Sequence, residues 1–442
     1  METTPSHIAT LEQLTDRRGR MFDRLGGGVM VLPAAPTQLG SRDSERPYVA
    51  DRELWYATGL VEPETVAVLV GGDARRLVLF VRPRDPAAEL WSGPRLGPDA
   101  AGEQAGANEV YPIAELAERL GELIGAGDSV HYRTGRSDEV ERLVLGALRQ
   151  GRARGQRTGA GPRALVDPGE ILDELRLLKS STEIAAIREA CRITLEGHRA
   201  GAAAVVPGAG EWEVEAAVNG AFRAAGANGP GFETIVGSGA NGCVLHYVAN
   251  ADAIGADSLV LIDAGAEVGF YNGDVTRTWP AAGRFTGEQR AVYDIVDEAR
   301  RAAIAEVRPG VTIGRVHETA STVIATGLIE LGVLDGPLAD VLEEAQHRAF
   351  FPHQTSHWLG LDVHDPGDYA LEGASRTLEE GMVFTVEPGL YFGAAALEQG
   401  GDRFAGIGVR IEDDVVVTAE GAEVLTADLP TAADDVEAFL AS

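Results

Sequence analysis

Residues 258–279 read "SLVLIDAGAEVGFYNGDVTRTW", and they open as a buried strand, with Leu259, Val260, Leu261 and Ile262 in unbroken succession. Asp263 follows at once. A second strand starts with Asp274, after an Asn272-Gly273 pair that reads as a hairpin turn. A hairpin with an apolar root and two carboxylates needs a reason, because a buried charge is costly unless it is paired or binds a metal. Two later strand-like runs share the oddity. In "MVFTVEPGLY" (382–391) Val383, Thr385 and Glu387 lie on one face, and Pro388 biases Glu387 towards extended geometry. In "IGVRIEDDVVV" (407–417) Arg410 and Glu412 share a face, while Val409 and Ile411 point the other way.

Any one of these carboxylates could simply be exposed or paired with a base. Four that converge are another matter. Two charges about 4 Å apart repel by about 4 kcal/mol at an effective dielectric of about 20, and one arginine cannot neutralise four of them. Divalent cations can, and an added imidazole shifts an oxygen-rich site towards transition metals. Residues 347–365, "HRAFFPHQTSHWLGLDVHD", supply His347, His353, His357 and His364, four of the nine histidines. His353 and His357 are four apart, but Gln354 stands where a zincin motif has glutamate, so H-E-x-x-H chemistry is excluded.

The 442 residues allow two or three domains, and 45% hydrophobic content allows a sizeable core. A formal charge of −30 argues against nucleic acid or an anionic membrane as partner. Two cysteines, Cys191 and Cys243, make no disulfide framework and read as reduced. The N-terminal "METTPSHIATLEQL" lacks the pattern of a signal peptide, and no apolar run approaches the length of a membrane span. A soluble cytoplasmic protein is expected.

The first part alternates strand-like runs (28–33, 64–70, 76–82 and 128–135) with an amphipathic helical pattern over 113–126, which suggests an α/β domain. The turn "GGDAR" separates the second and third runs. The glycine-rich, basic stretch 151–163 reads as a solvated connector. Ser180 and Glu183 form a capping box ahead of a helix whose Ile184, Ile187, Cys191 and Leu195 share a face. Two domains are therefore expected, 1–172 and 173–442. The segment 392–406 reads as a surface excursion.

Longer motifs then become recognisable: "TIVGSGANGCVLHY", "LVLIDAGAEVGFYNGDVTRTWP", "HWLGLDVHD", "VFTVEPGLY" and "GIGVRIEDD", with "RDSERPYVADRELWYATGL" and "RDPAAELWSGPRLG" in the first part. The chain resembles the pita-bread-fold metallopeptidases, specifically the Xaa-Pro aminopeptidases, over nearly its whole length. The resemblance implies an N-terminal α/β domain serving access and oligomerisation, followed by a pita-bread catalytic domain. It implies five ligands, Asp263, Asp274, His357, Glu387 and Glu412, for two divalent ions, manganese being the first choice. It also implies His246 and His364 beside the substrate, His353 lining a proline pocket, and Glu387 passing protons. Arg410 would offset carboxylate charge. Tyr391 either borders the site or merely packs, and Trp91 either reaches a neighbouring subunit's site or packs locally. The implied activity releases the first residue from Xaa-Pro-Yaa peptides in a homodimer or homotetramer. An Xaa-Pro dipeptidase shares all five ligands and stays open as an alternative. A creatinase-like metal-free hydrolase or a non-catalytic binding protein would be expected to have lost some of them.

Overall fold

Runs of valine and leucine build the first sheet. In the computed structural model, which describes residues 9–73 and 75–442, these are β1 (Val29–Pro33), β2 (Val66–Val70), β3 (Arg76–Val81), β4 (Glu109–Pro112), β5 (Ser129–His131) and β6 (Ala164–Val166). Their order is β4-β3-β2-β1-β5-β6. β1, β2 and β3 form an antiparallel meander, whereas β4, β5 and β6 join in parallel. Such mixing suits strands connected by helices, and β1 and β2 are buried along their whole length. Residues 1–8 of the N-terminal stretch, and Ala74 in the "GGDAR" turn, lie outside the described residues. From Leu11 the chain is an amphipathic helix, Leu11–Leu25, opened by a Thr10/Gln13 capping box and burying Leu14, Met21, Phe22 and Leu25.

The stretch 151–163 is not the connector its composition suggested. Residues 151–158 are the last turns of a helix, Asp138–Thr158, which ends at Gly159 with φ 76°. Gly151 and Gly155 lie against Pro162 and Ala160, where a side chain would clash, so the glycines serve a close return of the chain.

The chain divides between Leu175 and Arg176. In the second unit the short strands are β7 (Gly229–Pro230), β8 (Ile235–Ser238), β9 (Leu259–Ala264), β10 (Ala266–Val268), β11 (Tyr271–Asn272) and β12 (Val275–Pro280). Then come β13 (Ala370–Leu371), β14 (Ala374–Ser375), β15 (Val383–Val386), β16 (Gly389–Tyr391), β17 (Gly408–Arg410), β18 (Asp413–Thr418) and β19 (Gly421–Val424). The sheets are β12-β9-β8, β11-β10-β7, β15-β18-β19 and β16-β17, with the small hairpin β13-β14 apart. The Glu412 amide donates to Thr276 and the Thr278 hydroxyl to Arg410, so β12 is stitched to the β17–β18 segment. Helices Ser181–Ala204, Glu211–Ala224, Gly287–Glu306 and Ile313–Glu330 contribute to the same apolar core as these strands. The Ser180/Glu183 capping box is present.

The decisive hairpin differs from expectation at its tip. The chain reverses at Gly269 (φ 55°) and Phe270 (φ 71°), with Val268 opposite Tyr271. Two positive φ values in a two-residue loop are the pattern of a type I′ turn. Asn272 is instead buried in β11, and its amide donates to the carbonyls of Gly360 and Leu361. Nearer the root the strands cross so closely that a Cβ on Gly265 would sit 1.7 Å from the Gly273 carbonyl oxygen.

The segment 392–406 is also more than a surface excursion. It contains the helix Ala394–Leu397, and Phe392 and Phe404 are fully buried with ring centroids 5.0 Å apart. Both cysteines are free. No helix among the described residues is long and apolar enough to cross a membrane.

Candidate metal centre

Strand alternation places the acidic groups. On β12, Asp274 (just before the strand), Thr276 and Thr278 face one way and Val275, Arg277 and Trp279 the other. Arg277 is satisfied on its own side by Asp413 Oδ1 at 2.8 Å, and Arg300 holds the other Asp413 oxygen at 2.6 Å. Thr276 sits opposite Asp263 in the β9–β12 ladder, and Ile235 lies opposite Asp263 on the other side. Glu387 follows β15, and Glu412 lies between β17 and β18.

All four carboxylates and His357 line one cavity of about 900 Å³. One atom each from Asp274, His357 and Glu412 lie within 4.8 Å of one another. His357 Nδ1 lies 3.1 Å from the Trp358 carbonyl, and Nε2 faces Asp274 Oδ2 at 3.4 Å and Glu387 Oε1 at 3.6 Å. A proton on Nδ1, donated to that carbonyl, leaves Nε2 as a lone pair among carboxylate oxygens. That arrangement fits a cation between them, with the second nitrogen orienting the ring.

Electrostatics says the same. Burial raises the pKa of Asp274 well above its ordinary value, and Asp263, Asp414 and Glu387 add to it. Burial likewise raises Glu412 well above the usual range, with Asp274, Glu387 and Asp263 contributing. Burial also raises Glu387. Arg410 Nη2 holds Asp263 Oδ2 at 2.5 Å, while the buried Asp263 Oδ1 has no hydrogen-bond partner. One guanidinium therefore leaves most of the acidic charge uncompensated. The donor set of carboxylate oxygens and one imidazole fits divalent metal.

The other expected residues fall as follows. His246, His353 and His364 line the cavity, as does Arg410. The His364 ring stands edge-on to His357, centroids 4.4 Å apart. Burial, then His357 and His246, lower its pKa, so it is neutral near pH 7. Burial and then Arg410 push His353 down to about 3. Tyr391 is buried behind the cavity wall. Its oxygen lies 3.0 Å from Arg410 Nη1 and 2.8 Å from His353 Nε2, and His353 Nδ1 lies 2.8 Å from the Gln354 carbonyl. A neutral His353 must use Nδ1–H for that carbonyl and accept from the tyrosine at Nε2. Tyr391 thus ties the histidine to the arginine. His347, from the same histidine-rich stretch, is buried elsewhere, in the short turn Gln346–Ala349. Trp91, in the first unit, is 88% exposed, which is not local packing.

Several residues went unnoticed in the sequence. Thr276 accepts from Arg410 Nε and donates to Glu412 Oε2 at 2.7 Å; the period-two step from Asp274 could have pointed to it. Asp414 accepts the Asp274 amide at 2.9 Å and the Cys191 thiol at 3.1 Å. Asp365, beside His364, is gripped by Arg176 at 2.6 Å and Lys179 at 3.0 Å, long-range pairs that no local pattern reveals. His317 lines the cavity from the helix Ile313–Glu330, bonded to Thr355.

Known proteins are similar to this chain along nearly its whole length. The model of metallopeptidase family M24 matches residues 185–419, and that of the aminopeptidase P N-terminal domain matches residues 14–131. The Xaa-Pro aminopeptidase of Escherichia coli is 41% identical over 437 residues, 98% of this chain and 98% of that one. Aminopeptidase PepP of Pseudomonas aeruginosa superposes with a TM-score of 0.92 at 40% identity, covering 98% of each chain. Zinc-substituted E. coli aminopeptidase P in complex with product does so at 0.91 and 40%, again with 98% of each chain covered. The chain therefore belongs to metallopeptidase family M24, with an aminopeptidase P N-terminal domain preceding a pita-bread catalytic domain.

Proposed function

We propose that the chain is an Xaa-Pro aminopeptidase that releases the first residue from peptides with proline second. The observation that carries this is the convergence of Asp274, His357 and Glu412 on one cavity, with Asp263 and Glu387 beside them. These five residues would hold two divalent ions, manganese by preference for an oxygen-rich set with one imidazole. When bound, such ions supply Lewis acidity and lower the pKa of water.

The chain's own groups do the rest. Glu387, at the edge of the cluster, is placed to take up and hand on a proton. His246 and His364 are donors beside the carbonyl, where charge develops on oxygen. His353, kept neutral by burial, lines the pocket for the proline ring. Proline has a fixed φ and no amide N–H, so a pocket can recognise it by shape. Arg410 offsets carboxylate charge and, through Tyr391, holds His353 in place.

The same reading gives residues 1–172 the roles of access and assembly, and residues 173–442 the chemistry. An exposed Trp91 suits contact with another copy in a homodimer or homotetramer. The absence of nucleic-acid or anionic-membrane partners accords with the −30 formal charge.

Turnover of four peptides tests the proposal: Xaa-Pro-Yaa, Xaa-Ala-Yaa, acetyl-Xaa-Pro-Yaa and Xaa-Pro. The first should be preferred over the alanine peptide by about 10–200-fold, the range that pocket shape provides. Preference for Xaa-Pro would make the chain a dipeptidase. Equal cleavage of the alanine peptide would remove proline specificity.

A further inference from the structure

Glu211 opens the helix Glu211–Ala224 and is completely buried, yet it has no cationic partner among the described residues. Its charge is met by five neutral donors instead. Oε1 accepts from the Ser238 amide (2.7 Å), the Ser238 hydroxyl (2.8 Å) and Asn241 Nδ2 (3.0 Å). Oε2 accepts from the Tyr247 hydroxyl (3.0 Å) and the Asp252 amide (2.9 Å). A buried carboxylate on neutral donors is stable only while all of them stay in position.

Those donors bracket one segment. Ser238 and Asn241 precede His246, and Tyr247 and Asp252 follow it. His246 lines the cavity but is itself exposed and has no hydrogen-bond partner among the described residues. Nothing on its ring fixes where it stands, so its position is set by the backbone of the 239–252 loop. Leu245 and Tyr247 pack beside Ile235, Leu261 and Tyr391. Asn250, at φ 44°, pins the loop's end to Val236 and Thr234.

We infer that Glu211 is the positioning residue for His246: a buried carboxylate that clamps both sides of its loop and so holds the imidazole over the cavity. The inference rests on the role proposed above for His246. A displacement of about 1 Å in a group at the reacting centre can cost about a hundredfold in rate, so the effect should appear in kcat rather than in folding.

The test is a double-mutant cycle on the metal-loaded enzyme with an Xaa-Pro-Yaa peptide, together with amide hydrogen exchange. Glu211→Gln keeps the shape but replaces one acceptor with a donor facing other donors. It should lower kcat about ten- to a hundredfold, leave metal content unchanged, and speed exchange in residues 239–252 alone. In a His246→Ala background the same change should cost less than about twofold, because the group it positions is gone. An equal loss in both backgrounds, or unchanged exchange in the loop, would overturn the inference. Should Glu211→Gln not fold, Tyr247→Phe removes one donor with little change in packing. It should speed loop exchange and lower kcat only where His246 is present, and unchanged exchange would again overturn the clamp. If His246→Ala itself retains wild-type kcat, the histidine's role fails, while loop exchange in Glu211→Gln still decides whether the clamp exists.

Discussion

His357 and His364 stand with ring centroids 4.4 Å apart, yet their surroundings differ. His357 turns a lone pair towards Asp274 and Glu387, whereas His364 meets no carboxylate oxygen within 4.0 Å among the described residues and is held neutral by burial. The two should therefore separate on mutation. His364→Ala should lower kcat by about 10²–10³, the usual cost of losing a preorganised donor, with metal content near normal. His357→Ala should reduce metal occupancy instead. Metal analysis beside steady-state kinetics checks both, and a His364→Ala enzyme with wild-type kcat would remove that residue from the chemistry. The candidate cluster was legible in the sequence, because carboxylates among valines and isoleucines and a dense run of histidines break local rules, whereas the separate roles of the two histidines came from the family resemblance alone. The supporting residues were not legible. Thr276, Asp414 and Glu211 are ordinary residue types whose partners lie 136, 140 and 27 or more positions away, and only the fold brings them together.

At the scale of elements, β12 carries the centre on one face and a buried ion cluster on the other. Arg277 and Arg300 share Asp413, all three buried. Burial would raise the Asp413 pKa, but Arg277 and Arg300 outweigh it and hold the carboxyl below its usual range. Its stabilisation is therefore present above the unfolded pKa and is lost as pH falls through the lower folded value. Asp413→Ala should destabilise the protein by about 3–5 kcal/mol, because it leaves the buried Arg277 guanidinium without a carboxylate and Arg300 with Asp297 alone. Urea unfolding measures this, and a loss under about 1 kcal/mol would contradict the account of β12. The strand runs themselves were readable from period-two patterning. The hairpin tip was not, since an Asn-Gly pair is a strong turn signal and here Asn272 is spent on the carbonyls of Gly360 and Leu361. The basic glycine-rich stretch misled for a related reason. Helix propensity is a weak prior, and Gly151 and Gly155 are small because Pro162 and Ala160 lie against them.

For the whole molecule, metal and stability are linked. In the metal-free chain the folded state keeps protons on Asp274, Glu412 and Glu387 that the unfolded state releases, since burial and mutual repulsion raise all three. Above the unfolded carboxylate pKa the folded state therefore binds more protons, and its stability falls as pH rises towards the raised values. Chelated protein should lose Tm from about pH 5 to about pH 8, and the loaded protein should lose less over the same range. Calorimetry at both pH values checks it, and parallel curves would show that the carboxylates are not strained without metal.

Asp263, Asp274, His357, Glu387 and Glu412 are proposed to form a two-metal peptidase centre. The most direct measurement strips the protein with a chelator and titrates manganese back, following bound metal and Xaa-Pro-Yaa cleavage in the same samples. Activity should vanish on stripping and return in full at two ions per chain. Stripped protein that still cleaves the peptide, or full activity in an Asp274→Ala variant that keeps both ions, would contradict this assignment.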